Sequence, residues 1–123
     1  MGLLFAQSFG RDIKDVEKNK DVYYICALTE IIHNGTLMID DVQDMSELRR
    51  GEPCTHKKFG IDIATNTGSF MYYAPMIKLN KYIPKMKVSS KISSIYHEEM
   101  FHILLGQNWD INWHRGVAKP TEA

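Results

Sequence analysis

"YYICALTEIIHNGTLMIDDVQD", residues 23–44, decides the fold. Its apolar residues recur at Ile25, Leu28, Ile31, Ile32, Met38, Ile39 and Val42. That is the three- and four-residue spacing of a helix face, and the strict alternation of a half-buried strand is absent. The segment ends in three carboxylates, Asp40, Asp41 and Asp44. On a helix, Asp40 and Asp44 lie one turn apart, and Asp41 and Asp44 are also neighbours. Like charges so placed repel by about 0.2–0.5 kcal/mol a pair. They also stand at the helix end where the macrodipole disfavours anions.

A divalent cation bound between them removes both penalties. Hard oxygen donors with open positions suit Mg²⁺, which keeps waters and completes its shell with substrate phosphates. Arg49 and Arg50 follow at once. Guanidinium groups are permanently charged forks that match phosphate oxygens. Metal and arginine together predict a diphosphate site. A solvated acidic turn is the bland alternative; it explains the aspartates but leaves the apolar helix before them and the arginine pair after them unexplained.

Outward from this segment, residues 11–22 are highly charged and read as a helix end and a loop. "SELRRGEPC", punctuated by Gly51 and Pro53, reads as a loop. Asp62 is placed to cap a second helix over about 62–79, which Pro75 kinks or ends. "NKYIPKMKVSS" is a polar connection, and a third helix over about 88–113 carries Val88, Ile92, Ile95, Met100, Phe101, Ile103, Leu104 and Trp109. "HRGVAKPTEA" reads as a frayed tail. No segment reads as a strand, so the expected class is all-α.

Length and composition bound the function. The 123 residues suit at most one domain, with 44% hydrophobic and 24% charged residues. Basic and acidic residues balance at 15 each, so the excess positive charge of a nucleic-acid binder is missing. No apolar run approaches the ~20 residues of a membrane span. The first residues, "MGLLFAQSFGRD", make a poor signal peptide and a poor myristoylation site. Two cysteines, Cys26 and Cys54, form neither a disulfide framework nor a metal spacing, which points to a reducing, cytoplasmic setting.

At this level of detail the chain resembles a known family. "TEIIHNGTLMIDDVQDMSELRRGEPCTHKKFG", residues 29–60, is similar to the first aspartate-rich region of the trans-isoprenyl diphosphate synthases, most of all to eukaryotic geranylgeranyl diphosphate synthases. "LLGQNWDINWHRG", residues 104–116, resembles that family's Gly-Gln-x-x-Asp-Ile segment. The resemblance covers roughly residues 5–116 and is specific in these two blocks.

The resemblance implies an isoprenoid-synthase helical bundle, of which residues 1–123 would be a single partial domain, the first half. It implies that Asp40 and Asp44 coordinate Mg²⁺ bridging an allylic diphosphate, with Asp41 in support. Arg49 would bind the allylic diphosphate. Arg50 and His33 would bind the diphosphate of isopentenyl diphosphate, and Gln107 and Asp110 would line the cavity near the metals. On a helix His33 lies two turns before Asp40 on the same face, which agrees. The implied reaction is a head-to-tail condensation of isopentenyl diphosphate with an allylic diphosphate, farnesyl diphosphate, to give geranylgeranyl diphosphate. A homodimer is implied as well. The small Gly35 and Thr36 before the aspartates disfavour a farnesyl-length product by the family's rule.

Two of the family's motifs have no match in these residues: a Gly-x-x-x-Arg type motif ahead of the first long helix, and a second aspartate-rich motif downstream. The expectation is a partial chain that holds a half-site and is inactive alone. Two other classes compete. A non-catalytic short homologue would pair with a full-length synthase and modulate it, but has no reason to keep the aspartates and arginines. A terpene cyclase would lack the second diphosphate site that Arg50 and His33 imply. Other signals carry less. In "HEEMFH", residues 97–102, His97 and His102 are five apart rather than the four of a zinc-protease motif. His56, Lys57 and Lys58 read as a solvated basic loop or an aid in steering diphosphates. Trp109 and Trp113 are expected to pack on a neighbouring helix, and Tyr72 and Tyr73 to join the core.

Overall fold

The computed structural model describes residues 1–79, 81 and 89–117. The chain divides into two compact units, Met1–Met86 and Lys87–Ala123. The first contains helices α1 (Gly2–Ser8), α2 (Lys20–Gln43), α3 (Thr55–Phe59) and α4 (Ile61–Leu79), and a hairpin of β1 (Leu48–Arg49) and β2 (Glu52–Pro53). The second contains α5 (Ser89–His114).

The all-α expectation holds, with one correction. Strands were not expected, yet Leu48 pairs with Pro53 and Arg49 with Glu52 in an antiparallel ladder. The turn explains it. Arg50 and Gly51 both have positive φ, 55° and 83°, the backbone signature of a two-residue type I′ hairpin. Asn-Gly is the usual sequence there, so Arg-Gly gave no warning.

Helix α2 covers the segment its apolar spacing predicts, starts three residues earlier at Lys20, inside the stretch read as a helix end and a loop, and stops for a visible reason. Met45 takes the left-handed conformation, φ 56°. The Ser46 N–H donates to the Asp41 carbonyl at 3.0 Å, and the Met45 N–H to the Val42 carbonyl at 3.3 Å. These two bonds form a Schellman motif, normally closed by glycine. Helix α4 begins one residue before the expected cap, so Asp62 lies inside its first turn, and the helix continues past Pro75 to Leu79. Helix α5 matches the third predicted helix except at Val88, which lies outside the described residues, as do most of "NKYIPKMKVSS" and the last six residues. The short helices α1 and α3 were not foreseen.

The core of the first unit is the seam between α2 and α4. Ala64, Gly68, Tyr72 and Met76 are buried at four-residue spacing along α4, one continuous stripe. Leu28, Gly35 and Asp41 are buried on α2. Glycine is required at the crossing. A Cβ on Gly35 would stand 2.9 Å from Met71 Cβ and 3.0 Å from the Gly68 carbonyl oxygen. One on Gly68 would stand 2.8 Å from two atoms of the Ile39 side chain. The close approach fixes the C-terminal half of α2, which carries the aspartates. Gly35 is therefore small because α4 packs on it. Tyr72 is in the core as expected, whereas Tyr73 is exposed and departs from that expectation.

Candidate functional site

Three of the expected residues meet at the tip of α2. Asp41 is buried, with 4% of its surface exposed. Its Oδ1 accepts a hydrogen bond from Arg49 Nε at 2.9 Å and a second, short one from Nη2. The same Nη2 reaches Asp40 Oδ2 at 3.3 Å. Folding the hairpin back beside α2 makes this contact. The Schellman turn redirects the chain, the strand pairing holds Arg49, and Cys54 N–H donates to the Glu47 carbonyl at 3.0 Å to close the hairpin's base. Both Met45 and Arg50, either side of Arg49, are left-handed non-glycine residues. Each costs about 1–2 kcal/mol. Strain of this kind persists where surrounding structure overdetermines it, often at ligand sites.

Electrostatics follow the geometry. The hydrogen bond to Asp41 is the main cause that raises the Arg49 guanidinium above its already high value, opposed by burial and reinforced by the charges of Asp41 and Asp40. Arg49 is a permanent cation. Burial pushes the Cys54 thiol up, and a hydrogen bond to Asp41 acts in the same direction. Burial likewise raises the Tyr72 hydroxyl, with smaller contributions from Tyr73 and Asp40. Asp40 and Tyr72 thus share one electrostatic neighbourhood at the α2–α4 seam.

The remaining residues are placed less tightly. Asp44 is the exposed C-cap of α2, one turn beyond Asp40. Arg50 is exposed at the hairpin turn, and His33 is exposed two turns before Asp40 on the same helix. Gln107 and Asp110 are half-buried on α5 in the second unit, where Asp110 lies 3.6 Å from His114. Asp40 and Asp44 offer hard oxygens on adjacent turns, and this donor set fits a divalent cation of the Mg²⁺ type. Asp41 fits a different role, since its carboxylate is buried and committed to Arg49.

Two features escaped the sequence reading. Cys54 is almost fully buried beside Asp41; only hairpin closure brings them together, so no spacing rule could reveal it. His56 is also buried, at 6% exposure, and neither ring nitrogen has a protein partner among the described residues. The solvated-loop expectation is corrected there: His56, Lys57 and Lys58 lie on α3, and the two lysines pair with Glu47 and Glu52 at 2.6 and 3.2 Å. On α5, Trp109 and Trp113 stack on each other with ring centroids 6.5 Å apart and remain exposed. No described helix is long and apolar enough to cross a membrane.

A helical scaffold that ends one long helix in paired carboxylates and folds an arginine hairpin onto them defines a class of helical proteins with an acidic, arginine-backed tip. The chain belongs to the polyprenyl synthetase family, whose model matches residues 1–122. It is similar to geranylgeranyl pyrophosphate synthase ltmG of Epichloe festucae, 34% identical over 101 residues, which covers 82% of this chain and 29% of that protein. It is 33% identical over 98 residues to geranylgeranyl pyrophosphate synthase D of Phomopsis amygdali, covering 80% of this chain and 22% of that protein. A copalyl diphosphate synthase of Talaromyces verruculosus is 33% identical over 116 residues, 94% of this chain and 11% of its own length. The chain thus spans less than a third of the length of each of these relatives.

Proposed function

We propose that this chain is the diphosphate-binding portion of a Mg²⁺-dependent prenyltransferase that condenses isopentenyl diphosphate with an allylic diphosphate, farnesyl diphosphate, to give geranylgeranyl diphosphate. One observation supports it above the others: Arg49 lies against Asp40 and Asp41. Phosphate-binding cation and metal-binding carboxylates are within one contact of each other, which a merely solvated acidic turn does not require.

Asp40 and Asp44 would hold Mg²⁺, with Asp41 supporting through Arg49. Bound there, the ion would supply positive charge to the departing diphosphate. Arg49 would bind the allylic diphosphate, with Asp41 fixing its fork. Arg50 and His33, both exposed on the N-terminal and hairpin sides of the aspartates, would take the diphosphate of isopentenyl diphosphate. Gln107 and Asp110 would line the cavity. Preorganised positive charge stabilises the charge that develops as the allylic C–O bond breaks, and the isopentenyl alkene then attacks the allyl cation and a proton is lost. No side-chain nucleophile is needed. Residues 1–123 would form part of one larger bundle, and the enzyme would act as a homodimer. On α4, Ile63, Phe70 and Ile77 are exposed at seven-residue spacing, which supplies an apolar stripe for such packing.

The test is turnover by the whole synthase to which this portion would belong, given isopentenyl and farnesyl diphosphates with Mg²⁺. The expected result is a twenty-carbon product whose rate falls at least 100-fold in Asp40→Ala. Unchanged turnover in that variant would remove the proposed metal role.

A further inference from the structure

We propose that Arg49 is a resident counter-cation of the Asp40–Asp41 pair: anchored on Asp41, it gives up Asp40 to a divalent cation and thereby frees one guanidinium edge for a diphosphate. This deepens the function proposed above and rests on it.

The two contacts of Arg49 are unequal. Toward Asp41 it uses Nε and Nη2 on a carboxylate that is only 6% exposed. A buried carboxylate deprived of its partner is expensive, so this contact persists. Toward Asp40 it has a single contact at 3.3 Å, between side chains 31% and 38% exposed. Such pairs are weak, so this contact is the one that yields. The competing cation is of the kind its donor set takes, a hard divalent ion on carboxylate oxygens. Arg49 cannot deprotonate to make way, because its charge is permanent and its carboxylate partners raise its pKa further. It must move or share. When Asp40 turns to the ion, Nη2 loses that acceptor and Nη1 already faces no protein acceptor among the described residues. Donors then point outward beside the ion that would hold the diphosphate. Cation binding and the presentation of Arg49 become one event.

The consequence is counterintuitive. Removing a positive charge that would bind substrate should improve binding of the metal alone. The 123-residue chain is titrated with Mn²⁺ alone, free ion being read by electron paramagnetic resonance, and then with inorganic diphosphate at saturating Mn²⁺. In Arg49→Gln the Mn²⁺ affinity should rise about two- to fivefold, the range set by an exposed ion pair, while diphosphate affinity falls at least tenfold. Arg49→Lys, which keeps the charge, should leave Mn²⁺ affinity near the original. Equal or weaker Mn²⁺ binding by a folded Arg49→Gln overturns the proposal. Should that variant lose its helicity, the unmodified chain decides: Mg²⁺ without diphosphate should shift the Arg49 guanidinium ¹⁵N resonances, and unmoved resonances at saturating Mg²⁺ overturn the proposal. If neither the original chain nor any variant binds the cation, the functional assignment itself fails. Cation binding that ignores Arg49 defeats only the present inference.

Discussion

Gly35→Ala adds one methyl group at the point where α2 and α4 cross. The new Cβ would lie 2.9 Å from Met71 Cβ, 3.0 Å from the Gly68 carbonyl oxygen and 3.3 Å from Tyr72 Cε1. Neither of the two nearest atoms is the loose end of a side chain, so the helices themselves must shift. Overpacking of this kind costs about 1–3 kcal/mol. Replacing glycine by alanine inside a helix returns about 1 kcal/mol. The balance is a loss of about 1 kcal/mol. Gly106 on α5 has nothing within 4 Å of its ideal Cβ, so Gly106→Ala keeps the whole helical gain, about 1 kcal/mol. Gly68→Ala should fall between the two, because the Ile39 side chain that its Cβ meets at 2.8 Å can turn aside, whereas the Gly35 carbonyl oxygen at 3.1 Å cannot. Urea unfolding followed by far-UV circular dichroism reads the α2–α4 variants. Both tryptophans, Trp109 and Trp113, lie on α5, so tryptophan fluorescence reads Gly106→Ala. With a slope of about 1 kcal/mol per M urea, the Gly35 midpoint should drop by about 1 M and the Gly106 midpoint should rise. A Gly35→Ala protein as stable as the original would refute the close helix crossing, and with it the account of what fixes the aspartates.

Left-handed residues give the next contrast. Met45→Gly and Arg50→Gly should each stabilise the fold by about 1 kcal/mol in urea, yet only Arg50→Gly should weaken diphosphate binding measured by calorimetry. Asp41→Ala should destabilise by about 2 kcal/mol because it removes charged hydrogen bonds at a buried position, whereas Asp44→Ala, exposed at the helix cap, should change stability by under about 0.5 kcal/mol; thermal melts separate them. The Cys54 thiol has a folded pKa above its ordinary value. The native state therefore holds this proton more tightly than the unfolded chain, and stability is full below the ordinary thiol value of about 8.5 and declines as pH rises through and above it. Cys54→Ala should flatten that part of a melting temperature against pH profile; an unchanged slope would remove the thiol from the account.

The long elements were legible because their apolar spacing is local. Helix α2 appears where Ile25 to Val42 place it, α4 and α5 start within a residue of the boundaries drawn from Asp62 and Val88, and the aspartates stand at the helix tip as their positions require. The conjunction of Arg49 with Asp40 and Asp41 was foreseen only as shared chemistry, not as contact, since it depends on a chain reversal. That reversal was invisible for a physical reason. Two of its three left-handed positions carry Met45 and Arg50, where turn chemistry leads one to look for glycine or asparagine. Burial was the other blind spot. His56 and Asp41 look like solvent residues by composition, and only the hairpin and α3 folding onto α2 and α4 enclose them. Gly35 adds a cause that spacing could not show: a small residue read for product length also lies where α4 packs closely on α2.

Isothermal titration of the 123-residue chain with inorganic diphosphate, with and without Mg²⁺, bears most directly on the acidic tip of α2. Diphosphate should bind only when Mg²⁺ is present, and Asp40→Ala should abolish the heat while leaving the helical spectrum intact. Diphosphate binding that is the same without Mg²⁺, or that survives in Asp40→Ala, would contradict the proposed metal role.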